Sequence, residues 1–111
     1  MGIEQVRPAD LDAWLAAHGG GVVLDVREPA ELRMASVQPG PFKLQSIPMN
    51  DVPSHIGDLD PDQPIACLCH HGMRSMRVAM FLAHNGFATV ANIAGGIDAW
   101  SQERDPSVPR Y

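Results

Sequence analysis

The segment that decides the reading is PIACLCHHGMRSMRVAMFLAHNG, residues 64–86. Its first part, Pro64-Ile65-Ala66-Cys67-Leu68, is a short apolar run that stops at Cys69. Such a run, bounded by turn residues, reads as a strand buried on both faces. His70, His71 and Gly72 break the pattern. Apolar residues then return at helical spacing over 75–85 and close at Gly86, so a helix follows. One of only two cysteines in the chain therefore stands where a strand ends and a helix begins.

The same alternation continues outward in both directions. Val22-Val23-Leu24 is another continuous apolar run, ended by Asp25-Val26-Arg27-Glu28, and Pro29 opens a helix through Met34. Upstream, Gln5-Val6 suits a short edge strand and Pro8 a first helical turn; Leu11, Trp14 and Leu15 then share one helical face. Gly19-Gly20-Gly21 ends that helix. Residues 36–46 contain Pro39-Gly40-Pro41 and no period, so they read as a loop, with Ser46-Ile47-Pro48 as a short strand after it. Asn50 or Asp51 caps a small helix carrying Val52 and Ile56. Thr89–Ile93 is the last strand, and Gly95-Gly96 leads into a helix with Ile97 and Trp100.

This order predicts an α/β fold: a five-stranded, mainly parallel sheet with helices on both faces. Right-handed crossovers gather the strand-to-helix loops at the carboxyl edge of the sheet, where ligands bind in such folds. Cys69 and Asp25 share that edge. The length of 111 residues fits one domain, 1–111, with its core over 4–103 and an irregular tail over 104–111. A chain of this size buries roughly two-thirds of its unfolded surface and needs no staples. Cys67 and Cys69 lie too close along one strand for good disulfide geometry, so a reduced, cytoplasmic protein is expected. The N-terminus, Met1-Gly2-Ile3-Glu4-Gln5, has neither the basic nor the apolar segment of a secretory signal, and no apolar run is long enough for a membrane span. A net charge of −5 argues against nucleic-acid binding. Asp51, Asp58, Asp60 and Asp62 read as a solvated face.

The Cys69 loop carries the opposite sign, with Arg74 and Arg77 close together. Gly72 permits a positive φ, and a turn of that kind aims successive backbone N–H groups into one concavity, an anion nest. The following helix adds its positive end. A thiol held there ionises more readily than a free one. The loop thus suits a nucleophilic Cys69 beside a seat for a small anion, with Arg74 as a permanent cation. This chemistry requires the Cys69 sulfur to be reachable and the loop amides to be aimed at it. Cys67, inside the apolar run, reads as core filler. Adjacent His70 and His71 cannot easily face one ion, so no metal is expected, and their backbone N–H groups matter more than their rings.

These residues resemble the rhodanese family, the sulfurtransferases. Cys69-His70-His71-Gly72-Met73-Arg74-Ser75 is similar to that family's Cys-x-x-Gly-x-Arg-Ser loop. Leu24-Asp25-Val26-Arg27-Glu28 resembles its Asp-Val-Arg-Glu segment, and Gly95-Gly96-Ile97-Asp98-Ala99-Trp100 its Gly-Gly-x-x-x-Trp. Ala35–Gly40 departs from the family's Gly-His-Ile-x-Gly-Ala, which alters the local path there. The resemblance implies a rhodanese-like three-layer fold and no cofactor. It implies that Cys69 takes a sulfane sulfur from a donor such as thiosulfate, holds it as a persulfide, and yields it to cyanide or to a thiol such as thioredoxin or glutathione. His70, His71, Gly72, Met73, Arg74 and Ser75 would line the anion seat, with Asp25 and Arg27 in support, chiefly as structure. Two rivals remain. One is a binding or delivery module that acts only with a partner. The other is a cysteine-dependent phosphatase or arsenate reductase, which resembles this fold but has a loop one residue longer.

Overall fold

The computed structural model describes residues 3–111; Met1 and Gly2, the start of the N-terminal segment considered above, lie outside them. Five strands form one sheet: β1 (Glu4–Val6), β2 (Val22–Asp25), β3 (Lys43–Ser46), β4 (Ile65–Leu68) and β5 (Val90–Ile93). Their spatial order is β1-β5-β4-β2-β3, and every pairing is parallel. The helices are α1 (Leu11–Ala17), α2 (Pro29–Met34), α3 (Val52–His55), α4 (Met73–His84) and α5 (Gly96–Glu103).

The sheet carries a core on each face, as continuous apolar strands require. Val23, Ala66, Leu68, Ala91 and Ile93 meet Leu11, Trp14 and Leu15 of α1 and Ile97 and Trp100 of α5. The alternate residues Val22, Leu24, Ile65 and Cys67 meet Val52 of α3 and Val78, Ala79 and Leu82 of α4. No helix among the described residues is long and apolar enough to cross a membrane. Asp51, Asp58, Asp60 and Asp62 are all exposed, and Asp51 precedes α3 without a side-chain cap bond.

One strand lies elsewhere than the sequence suggests. Residues 43–46 are β3, paired Val22↔Lys43 through Asp25↔Ser46, and the chain leaves the ladder where Ser46-Ile47-Pro48 reads as a strand. β3 is an edge strand with no buried residue, so its pairing rests on backbone hydrogen bonds and leaves no apolar alternation to read. The atypical segment before it is anchored by Ala35 and Val37, both buried in the core beneath α5.

Candidate active site

At the carboxyl edge β4 delivers Cys69, and α4 begins at Met73, earlier than the helix predicted over 75–85. Gly72, at φ 105°, reverses the chain directly into the helix, a conformation a side chain would strain. Met73, Arg74 and Ser75 are therefore the first turn of α4 and not loop. The first α4 amide to find a carbonyl is that of Met76, bonded to Gly72 O at 3.2 Å. The amides before it have no carbonyl within the helix to bind.

The loop carbonyls are captured from outside. Ile97 N–H donates to Cys69 O at 2.8 Å, and Asp98 N–H donates to His70 O at 3.2 Å. Asn92 Nδ2 donates to Gly72 O at 3.1 Å. A trans peptide sets each carbonyl opposite the next N–H, so the amides of His70 and His71 face away from α5. Gly72 N–H donates to Cys69 Sγ at 3.1 Å. α5 approaches this closely because residue 96 is glycine: a Cβ there would lie 2.5 Å from Cys69 O, and its φ is +61°. That close approach is what turns the loop.

Of the two requirements set by the chemistry, the structure aims one loop amide, that of Gly72, at the sulfur and departs from the reachable sulfur. Cys69 is 1% exposed. Its sulfur is drawn inward, within 3.2 Å of Ser75 Oγ as well as 3.1 Å of the Gly72 amide. Cys67 is fully buried in the α3–α4 core, and burial, together with the neighbouring Cys69 charge, pushes its thiol far up.

The rim of the loop is a charged network. Arg74 donates to Glu31 of α2 through both terminal nitrogens, at 2.6 and 2.8 Å. That guanidinium, opposed by burial and helped by the Tyr111 hydroxyl, holds the Glu31 carboxyl down at about 2. Tyr111 O–H donates to Glu31 at 2.7 Å and accepts from Arg27 Nη1 at 3.0 Å. Arg27 in turn grips Asp25 at 2.7 Å, and the two side chains are 0% and 2% exposed. Arg27 and Asp25 thus lie under the rim, bonded to each other. Arg74 faces Glu31, and Met73 projects outward.

His70 is sandwiched between His71 and Tyr111, both ring centroids 3.9 Å away. Its Nε2 donates to the Tyr111 carbonyl at 2.8 Å. Ligand atoms of His70, His71 and Asp98 lie within 4.8 Å of one another. Stacked rings have nearly parallel lone pairs, however, and a metal needs them to converge. Asp98 is also held by Arg110 at 2.9 Å.

A family model, the rhodanese-like domain, matches residues 7–103. The chain belongs to the rhodanese-like family. YtwF of Bacillus subtilis, which carries a provisional sulfurtransferase name, is 34% identical over 106 residues, covering 96% of this chain and 98% of that one. A rhodanese-related protein from Thermoplasma volcanium matches in structure with a TM-score of 0.78 at 31% identity, over 97% of this chain and 99% of that one. A chloroplast protein of Arabidopsis thaliana with rhodanese-like and PpiC domains is 43% identical over 93 residues, 80% of this chain, but this chain spans only 30% of that longer protein.

Within this rhodanese-like site, three residues carry bonds that sequence reasoning assigned to none of them. Glu31 follows Glu28 by a helical turn and reaches Arg74 across the fold. Tyr111 lies in the tail, with no motif around it. Asn92 is a buried amide in the middle of the last strand, 3% exposed. A polar residue interrupting the apolar run Val90–Ile93 was the one available signal.

Proposed function

We propose that this rhodanese-like chain is a sulfurtransferase that carries a sulfane sulfur on Cys69. The observation that supports it best is the Gly72 N–H aimed at Cys69 Sγ, 3.1 Å away at the start of α4. The Cys69 thiolate attacks the outer sulfur of a donor such as thiosulfate. The sulfur–sulfur bond of the donor breaks, its electron pair leaves with sulfite, and Cys69 becomes a persulfide. A thiol or cyanide then attacks the outer sulfur and releases the Cys69 thiolate, so no external oxidant or reductant is consumed. Loop amides stabilise the charge on the outer sulfur, as preorganised donors do. Arg74 serves the anion by exchanging Glu31 for it, a carboxylate for a sulfur oxyanion.

The 1% exposure of Cys69 requires the rim to open before either attack. A groove of about 430 Å³ lined by His71, Gly72, Met73, Arg77 and Asn92 adjoins the loop, although Cys69 itself does not line it. The same burial favours a second reading, in which a partner protein must open the rim and the chain only delivers sulfur. Thiocyanate formation from thiosulfate and cyanide by the isolated chain separates the two. Steady turnover supports the first reading; a stoichiometric burst that never recycles without a partner supports the second.

A further inference from the structure

The hydrogen bonds around Ser75 contain more acceptors than protons. Ser75 Oγ lies 2.5 Å from Asn92 Oδ1 and 3.2 Å from Cys69 Sγ, yet a hydroxyl has one proton to give. The orientation of Asn92 is fixed by its neighbours. Its amide nitrogen donates one proton to the Gly72 carbonyl at 3.1 Å and the other to Gln5 Oε1 at 3.0 Å. The Gly72 carbonyl can only accept, so the nitrogen must face it. Asn92 Oδ1 is thereby left as an acceptor, and Ser75 is the donor that reaches it. All three side chains, Cys69, Ser75 and Asn92, are buried, so water does not fill in for a missing partner.

We propose that Asn92 is a positioning residue for Cys69, acting through the proton of Ser75. While Asn92 holds that proton, the Ser75 oxygen presents a lone pair to the sulfur, and the Cys69 thiol donates its S–H to it. When the thiol ionises, its proton leaves to solvent and Ser75 must turn. It breaks its bond to Asn92 and donates to the new thiolate, alongside the Gly72 amide. The lost Asn92–Ser75 bond weighs against the thiolate alone. Asn92 therefore biases the resting site toward the thiol and makes ionisation depend on a hydroxyl rotation. This inference rests on Cys69 being the nucleophile proposed above.

The test is a titration of thiolate absorbance from about pH 5 to pH 10 on the full chain. Cys67 stays protonated throughout, because burial pushes its thiol up. Asn92→Ala frees the Ser75 proton, and the midpoint is expected to fall by about half to one pH unit, the equivalent of one net buried hydrogen bond. Adding Asn92→Ala to Ser75→Ala should move the midpoint no further. An unmoved midpoint in Asn92→Ala, or an equal shift with and without Ser75, overturns the proposal. The unaltered protein supplies a check that does not depend on a variant folding. The side-chain carbonyl carbon resonance of Asn92 should titrate with the thiolate absorbance as its hydrogen bond is lost; a flat resonance overturns the proposal. These readouts are independent of turnover. If Cys69 accepts no sulfur but the midpoint moves, the functional reading fails and the positioning role stands.

Discussion

Cys67 and Cys69 are two residues apart, face the same side of the sheet, and are almost equally buried, at 0% and 1% exposure. Burial therefore does not distinguish them. What differs is what the sulfur meets. Cys67 lies in the middle of β4 among Val22, Leu24, Ile65 and the α4 side chains, and among the described residues no hydrogen bond reaches its sulfur. Cys69 lies one step past the strand end, where the amide of Gly72 and the hydroxyl of Ser75 are both within 3.2 Å. The strand interior spends its backbone N–H groups on the neighbouring strands; the loop has its carbonyls bound by α5 and Asn92, and its amides are left over. On the proposed reading, the sulfur-carrying thiol and the core thiol on one strand differ through the fate of the peptide groups around them.

The largest expected effect separates the two thiols directly. Cys69→Ser should lower thiosulfate-to-cyanide turnover by at least about a thousandfold while the melting temperature stays nearly constant. Retained turnover would transfer the role to another residue. Next comes the scaffold beneath the loop. Arg27→Met leaves the Asp25 carboxylate buried without its partner and should destabilise the chain by about 3–5 kcal/mol in denaturant titration. A loss below about 1 kcal/mol would mean that Asp25 finds other donors. Cys67→Ser should show the converse of Cys69→Ser. A hydroxyl among apolar side chains costs about 1–3 kcal/mol of stability, with turnover of the folded fraction within about twofold of the parent. A selective loss of turnover there would end the contrast between the two cysteines.

The smallest effect is at the rim. Glu31 has its pKa held at about 2, below the ordinary 4.5, chiefly by Arg74. A depressed carboxyl stabilises the fold above its unfolded pKa and loses that contribution as pH falls through the folded one. Melting temperature should therefore drop between about pH 5 and pH 2, and Glu31→Gln should flatten that slope. With Glu31 19% and Arg74 30% exposed, solvent screening keeps this effect modest. The same substitution should speed alkylation of Cys69 by loosening the rim; an unchanged rate would place the barrier to access elsewhere.

Much of this arrangement could be read from residue order. Continuous apolar runs mark the buried strands β2 and β4, and the glycine triplet Gly19-Gly20-Gly21 and the pair Gly95-Gly96 mark turns. The Cys69 loop stood out because a cysteine, a glycine and an arginine fell between a strand and a helix. β3 was displaced because an edge strand without buried side chains writes no pattern. α4 starts early because Gly72, read as mid-loop, is the residue that enters the helix. The burial of Cys69 and the roles of Asn92, Glu31 and Tyr111 depend on contacts between distant parts of the chain. The Asn92 to Gly72 bond, for example, joins β5 to the β4–α4 loop. Local spacing carries no trace of such pairings.

The measurement that tests the central idea most directly is mass spectrometry of the intact chain and its peptides after exposure to thiosulfate under non-reducing conditions. One additional sulfur atom, carried on the peptide at Cys69 and removed by cyanide, is the predicted result. Because Cys67 and Cys69 can fall on the same peptide, fragmentation between them is needed. Sulfur found only on Cys67, or none on either residue after the rim has been loosened by Glu31→Gln, would contradict it.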